Sequence, residues 1–245
     1  MRKNVNAKFL FKVIVAWGLL IELSLRSFTV TIDPGHGGPF TGARSVNGLV
    51  VEKDATLDVA LRLAKLLRDC GMTVILTRTT DIALAQELAD DLQKRADLTK
   101  NVDAFVSIHF NETGCPSHAV NAQKFELYVP YNKKFPEQSY MLAACIHTQL
   151  AHVIEPRWAG KLGNLNIVDG GIRRARFNVI EKAVCPAAVL VELAYLSDGA
   201  GEAKVARPSV RQDYAKLLAD GLSAYAKMLE EKKEASMQCK KIKRT

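Results

Sequence analysis

Four ionisable side chains stand in stretches that are otherwise apolar or glycine-rich. His36 follows a β-branched run in TVTIDPGHGG, Glu52 sits in VVEKD ahead of a helical pattern, His109 closes AFVSIHF, and Glu192 interrupts AAVLVELAYL. Catalytic zinc commonly takes three protein ligands from histidine and carboxylate and keeps a fourth position for water, whose pKa falls to about 7. A further carboxylate must then accept the water's proton and return it to a leaving group. Two histidines and two glutamates suit those roles. Plainer readings exist: a turn histidine, a strand-end histidine, and a glutamate favoured by a helix N-terminus. Glu192 resists such a reading, because an ionised carboxylate in an apolar run is costly unless paired or coordinated. His36 and His109 are 73 residues apart and no H-E-x-x-H is present. Spacing alone therefore leaves both a metal site and unrelated structural roles open.

Bringing these residues together requires particular elements. FTVTID, MTVILTR, AFVSIHF, KFELYVPY and AAVLVELAYL read as strands, the last with the unbroken apolar run of a strand covered on both faces. ATLDVALRLAKLLRD reads as a helix with Leu57, Ala60, Leu61, Ala64 and Leu67 on one face, Asp54 as its cap and Gly71 as its stop. Further helices are expected over LAQELADDLQKRADLTKN, PEQSYMLAACIHTQLAHVI and PSVRQDYAKLLADGLSAYAKMLEE, the last with Pro208 in its first turn. The alternation predicts an α/β fold: a single domain, with a mostly parallel central sheet flanked by helices on both faces. In such sheets ligands gather beyond strand ends, where His36, His109 and Glu192 fall. Gly35, Gly37 and Gly38 permit a sharp turn after the first strand. Asp33 is read either as orienting a ligand from behind or as strand-end turn chemistry.

With 245 residues, one substantial domain is expected, and a hydrophobic fraction of 48% excludes a disordered chain. The net charge of +8 is concentrated at the ends, in Arg2, Lys3, Lys8 and Lys12, and again in Lys232, Lys233, Lys240, Lys241, Lys243 and Arg244. That distribution suits an anionic surface. No alternation of aromatic and basic residues marks a nucleic-acid module, so no nucleic acid is expected as a partner. Residues 1–27 read as a signal peptide or N-terminal membrane segment, with a basic start and an apolar stretch from Phe9 to Leu25. An amphipathic helix packed on the domain is the alternative. Residues 28–231 form the expected catalytic domain, and 232–245 a basic flexible tail. Five cysteines show no C-x-x-C pair, and Cys70 and Cys145 read as small core residues.

Taken in order, TIDPGHGG, VEKD, LTR, SIHFN and VLVELAYLSD resemble the catalytic domain of zinc-dependent N-acetylmuramoyl-L-alanine amidases of the type-3 family, over about Phe28 to Leu229. The resemblance implies one Zn2+ held by His36, Glu52 and His109, with Glu192 as catalytic acid/base. It implies hydrolysis of the amide between N-acetylmuramic acid and the first L-alanine of the peptidoglycan stem, as in a cell-wall autolysin. The N-terminal segment adds the expectation of export to the periplasm or cell envelope, with a membrane anchor left open. Peptidoglycan is the expected partner, with membrane contact through the N-terminal segment, and a monomer the expected state. Arg78 and Arg95 also match family positions; Arg78 reads as structural, and Arg95 is left open. Asn111 is a candidate substrate contact. GGIRRARFNVI resembles the family's substrate-side loop, where Arg173, Arg174 and Arg176 could meet stem-peptide carboxylates or form a solvated basic face. The short segment after His109 implies that the long blocking helix of regulated cell-division amidases is absent, so the site needs no partner to open it. The competing functions are a zinc peptidase cutting within the stem peptide and a non-catalytic wall-binding protein.

Overall fold

The computed structural model describes residues 28–112, 124–133, 136–156, 171–197 and 199–242. Seven strands build the sheet: β1 (Thr29–Pro34), β2 (Thr73–Leu76), β3 (Ala104–Asn111), β4 (Lys124–Pro130), β5 (Glu155–Pro156), β6 (Ile172–Ala175) and β7 (Ala187–Tyr195). Their order is β2-β1-β3-β7-β4, with the short β5 and β6 both pairing with the free edge of β4. Every pairing is parallel except β4 with β7. Helices α1 (Glu52–Asp69), α2 (Leu88–Asp97), α3 (Glu137–Ala151), α4 (Asn178–Glu181), α5 (Gly199–Val205) and α6 (Pro208–Ile242) complete the domain. This is the expected α/β architecture.

The strand period of two sorts the residues onto two faces. Val30, Ile32, Val106, Ile108, Val189, Val191 and Leu127 pack with Leu63 and Leu67 of α1, Leu142 and Ile146 of α3, and Leu218 and Leu222 of α6. Burying each such side chain contributes about 1.5–3 kcal/mol, so this thick core carries most of the stability. The opposite face is thinner: Phe105, Ala188 and Leu190 pack with Val179 and Ile180 of α4. That face also holds Asp33, Ser107, His109 and Glu192, which alternate with core residues along their strands.

Several local expectations are corrected. The buried stripe of α1 runs through Ala55, Val59, Ala60, Leu63, Ala64 and Leu67, while Leu61 is 40% exposed. Asp54 does not cap α1. Val51 is the N-cap, without a side-chain bond, and the carbonyls of Ala43 and Thr41 instead accept the Glu52 and Lys53 N–H groups. A neighbouring loop thus replaces the side-chain cap. Gly71 ends the helix as expected, with Met72 N donating to the Leu67 carbonyl. Cys70 is exposed at this helix end rather than in the core, and Cys145 is half-buried. α6 continues to Ile242, through most of the segment read as a tail, because Lys, Glu, Ala, Met and Gln all favour helix. Residues 1–27 and 113–123 lie outside the described residues, and with them the leader and the short segment after β3. Among the described residues no helix is long and apolar enough to cross a membrane.

Candidate metal centre

The turn after β1 places His36 by force of its surroundings. His36 adopts φ 65°, the left-handed region that costs a residue with a Cβ about 1–2 kcal/mol. Two buried arginines hold the backbone there. Arg95 donates Nη2 to the His36 carbonyl at 2.7 Å and Nη1 to the Pro34 carbonyl at 2.9 Å. Arg78 donates to the carbonyls of Pro34 (3.0 Å), Gly35 (2.9 Å) and Lys53 (2.7 Å). Asp33 does not touch a histidine. Its carboxylate accepts from Arg95 at 2.8 Å and from Thr77 and Ser107 at 2.6 Å each, so it acts on the turn through Arg95. Asp91 of α2 anchors the same guanidinium at 2.6 Å. Arg78 and Arg95 are therefore both parts of one buried cradle under the histidine turn.

Glu52 opens α1 and is 4% exposed. Its Oε2 accepts from Ala43 N at 2.7 Å and lies 3.1 Å from His36 Nε2. Its Oε1 accepts from Phe110 N at 3.0 Å and lies 3.0 Å from His109 Nδ1. Burial opposes ionisation of Glu52, but the hydrogen bonds and charges of His109 and His36 outweigh it and hold the carboxyl well below the usual carboxylate range. The imidazoles meet edge to face with centroids 4.9 Å apart.

Sheet register supplies the fourth group. His109 on β3 pairs with Glu192 on β7, and Glu192 pairs with Glu126 on β4, so three ionisable side chains form one row across adjacent strands. Glu192 Oε2 is buried without a hydrogen-bond partner. Burial, then the Glu52 and Glu126 carboxylates, push its pKa well above the ordinary glutamate value. Glu126, 1% exposed, accepts from Tyr195 Oη at 2.5 Å, from Tyr128 Oη, and from Asn111 Nδ2 at 3.2 Å. Glu126 lies between Phe125 and Leu127 in an alternating strand, where a polar residue is the ordinary pattern, so its sequence carries no signal like that of Glu192 in its apolar run.

His36, Glu52 and His109 each offer one ligand atom, all within 4.8 Å of one another. The three groups can approach because nearby residues lack side chains. A Cβ on Gly35 would lie 2.3 Å from His109 Cε1, and one on Gly42 would lie 2.4 Å from Glu52 Oε2. Two imidazoles and a carboxylate, with an unpartnered carboxyl in the same row, fit a borderline cation such as zinc. The remaining candidates lie at the edge. Asn111 has its amide committed to Glu126 and Tyr195 and its Oδ1 to Glu112 N. Arg173 pairs in register with Tyr128, which puts it on the Glu192 face. Arg174 donates to the Tyr131 and Lys133 carbonyls and, with Arg176, stacks on the Tyr131 ring.

Similarity to known proteins follows the same span. The Amidase_3 family, N-acetylmuramoyl-L-alanine amidase, matches residues 30–224. The germination-specific N-acetylmuramoyl-L-alanine amidase of Bacillus subtilis is 30% identical over 83% of this chain and 82% of its own length. The amidase LytC of the same organism is 30% identical over 80% of this chain, which spans only 35% of LytC. Among solved structures, the catalytic domain of CwlV, an N-acetylmuramoyl-L-alanine amidase from Bacillus (Paenibacillus) polymyxa var. colistinus, superposes with a TM-score of 0.65. It is 30% identical, and the match covers 81% of this chain and 97% of that one. With the family match spanning the sheet and all four candidate residues, this chain is a member of the N-acetylmuramoyl-L-alanine amidase family.

Proposed function

We propose that the protein hydrolyses, with one Zn2+, the amide between N-acetylmuramic acid and L-alanine in peptidoglycan, as an exported cell-wall autolysin. The observation that carries the zinc dependence is the convergence of His36, Glu52 and His109 donor atoms within 4.8 Å. Zinc bound there supplies a Lewis acid and a water of lowered pKa. The chain does the rest. The Arg78 and Arg95 cradle keeps His36 turned toward Glu52, and Ala43 N and Phe110 N keep both Glu52 oxygens in place. Glu192, with its raised proton affinity and unpartnered Oε2, accepts the proton of the attacking water and delivers it to the departing alanine nitrogen. Arg173 offers a charge on the same face for a stem-peptide carboxylate, with Asn111 and Arg174 as further contacts on its rim. In this reading residues 1–27 direct export and contact the membrane, residues 28–231 act on peptidoglycan as a monomer, and 232–245 serve as a basic tether.

A zymogram on purified peptidoglycan, coupled to mass spectrometry of the released peptides, tests this. The expected result is clearing that a chelator abolishes and zinc restores, with whole stems released bearing a free N-terminal L-alanine. Clearing that persists in chelator overturns the metal requirement, and fragments cut inside the stem point to a peptidase instead.

A further inference from the structure

Glu202 of α5 is 1% exposed and touches none of the residues placed around the cation site. Its carboxylate nevertheless gathers four donors of one distant turn. The Ser45 hydroxyl donates to Oε1, as does Leu49 N at 2.9 Å. Asn47 N lies 3.2 Å from each oxygen, and Asn47 Nδ2 donates to Oε2 at 2.6 Å. Burial favours the neutral acid, but these hydrogen bonds outweigh it and lower the carboxyl's pKa.

Within itself the turn has one backbone bond, from Gly48 N to the Ser45 carbonyl at 3.0 Å. Val46 and Leu49 are 58% and 68% exposed, so its apolar side chains do not anchor it in the core. Its stem leads straight to the cation site. Ser45 N donates to the Val50 carbonyl at 3.0 Å while its Oγ accepts from Val50 N at 2.9 Å. Arg44 and Val51 then bridge, Glu52 N donates to the Ala43 carbonyl at 2.9 Å, and Ala43 N returns a bond to Glu52 Oε2 at 2.7 Å. A continuous series of hydrogen bonds thus runs from Glu202 to the oxygen of Glu52 beside His36.

We propose that Glu202 is a positioning residue for the metal site: by fixing the turn 45–49 it sets the stem that aims the Glu52 carboxylate. The inference rests on the zinc reading above. Outer partners of metal ligands are typically worth 10–100-fold in metal affinity, and Glu202, a step further out, is expected near the lower end, about tenfold.

The test uses the full chain as wild type, Glu202→Gln, Glu202→Asp, Ser45→Ala and, as a stability control in α3, Leu150→Ala. Zinc affinity is measured by competition with a chromophoric chelator, the visible spectrum is taken with cobalt in place of zinc, and thermal unfolding is followed without metal. Glu202→Gln and Ser45→Ala should each weaken zinc about tenfold and alter the cobalt spectrum, with Glu202→Asp recovering part of the loss. Leu150→Ala should lower the melting temperature yet leave affinity and spectrum unchanged. Wild-type affinity and spectrum in Ser45→Ala and Glu202→Gln overturn the inference, as does an equal affinity loss in Leu150→Ala. Failure of the wild-type chain to bind either cation overturns the metal reading itself, and this inference with it.

Discussion

Glu192 owes its character to where its strand runs. Burial in a strand covered on both faces, then the Glu52 and Glu126 carboxylates, push its pKa well above the ordinary glutamate value, and Oε2 has no donor to relieve it. A glutamine there keeps the shape and removes the proton transfer. Glu192→Gln is therefore expected to fold, bind zinc as tightly as the wild type, and hydrolyse peptidoglycan about 10²–10⁴-fold more slowly. Parallel metal-content and turnover measurements check this, and near-normal turnover removes Glu192 from its role. Glu126 extends the row by one strand and differs in its partners: two phenols and an amide donate to it, whereas Glu192 Oε2 has no donor.

At the scale of elements, the close approach of β3 to the turn after β1 decides whether the site forms. Gly35 is absent from the positive-φ residues, so its role is space: the His109 ring occupies the place of its missing Cβ. Gly35→Ala should leave the fold intact, since the thick core lies on the other side of the sheet, but displace His109 and weaken zinc by at least about tenfold. Circular dichroism together with chelator competition checks it, and unchanged affinity would show that the ring has room to move. The start of α1 obeys the same economy: the loop that caps it also donates Ala43 N to Glu52.

Across the whole molecule, the cradle under the site is a buried ionic network, and it links stability to pH. Burial would raise Asp33, but the Arg95 charge and the Ser107 and Thr77 hydrogen bonds outweigh it and hold the carboxyl below its ordinary value of 3.8. The stability this contributes is present above that value and is lost as pH falls through the lower folded one. Asp33→Asn leaves Arg95 with Asp91 as its carboxylate partner and should destabilise the metal-free protein by about 1.5–3 kcal/mol at pH 7. The gap from wild type should narrow as the solution is taken below pH 4. Urea unfolding at pH 7 and pH 3 measures both, and a gap independent of pH would show that Asp33 is not the linked group.

The amino-acid sequence by itself determined the alternation of strands and helices, the burial of β7, three polar residues near strand ends and a glutamate ahead of the first helix, because periodicity and desolvation are local properties. It did not determine that His109, Glu192 and Glu126 share a row, since the strand order β3-β7-β4 and the reversal at β4 leave no local mark. Nor did it disclose the left-handed His36, the loop that caps α1, or Glu202, whose partners lie more than 150 residues away. Leu61 and Cys70 lay at apolar-looking helix positions, and only the packing of α1 on the sheet assigned them to solvent. Short-range patterning chose the elements; long-range register and hydrogen bonding, which exist only once the chain has closed on itself, assembled the site.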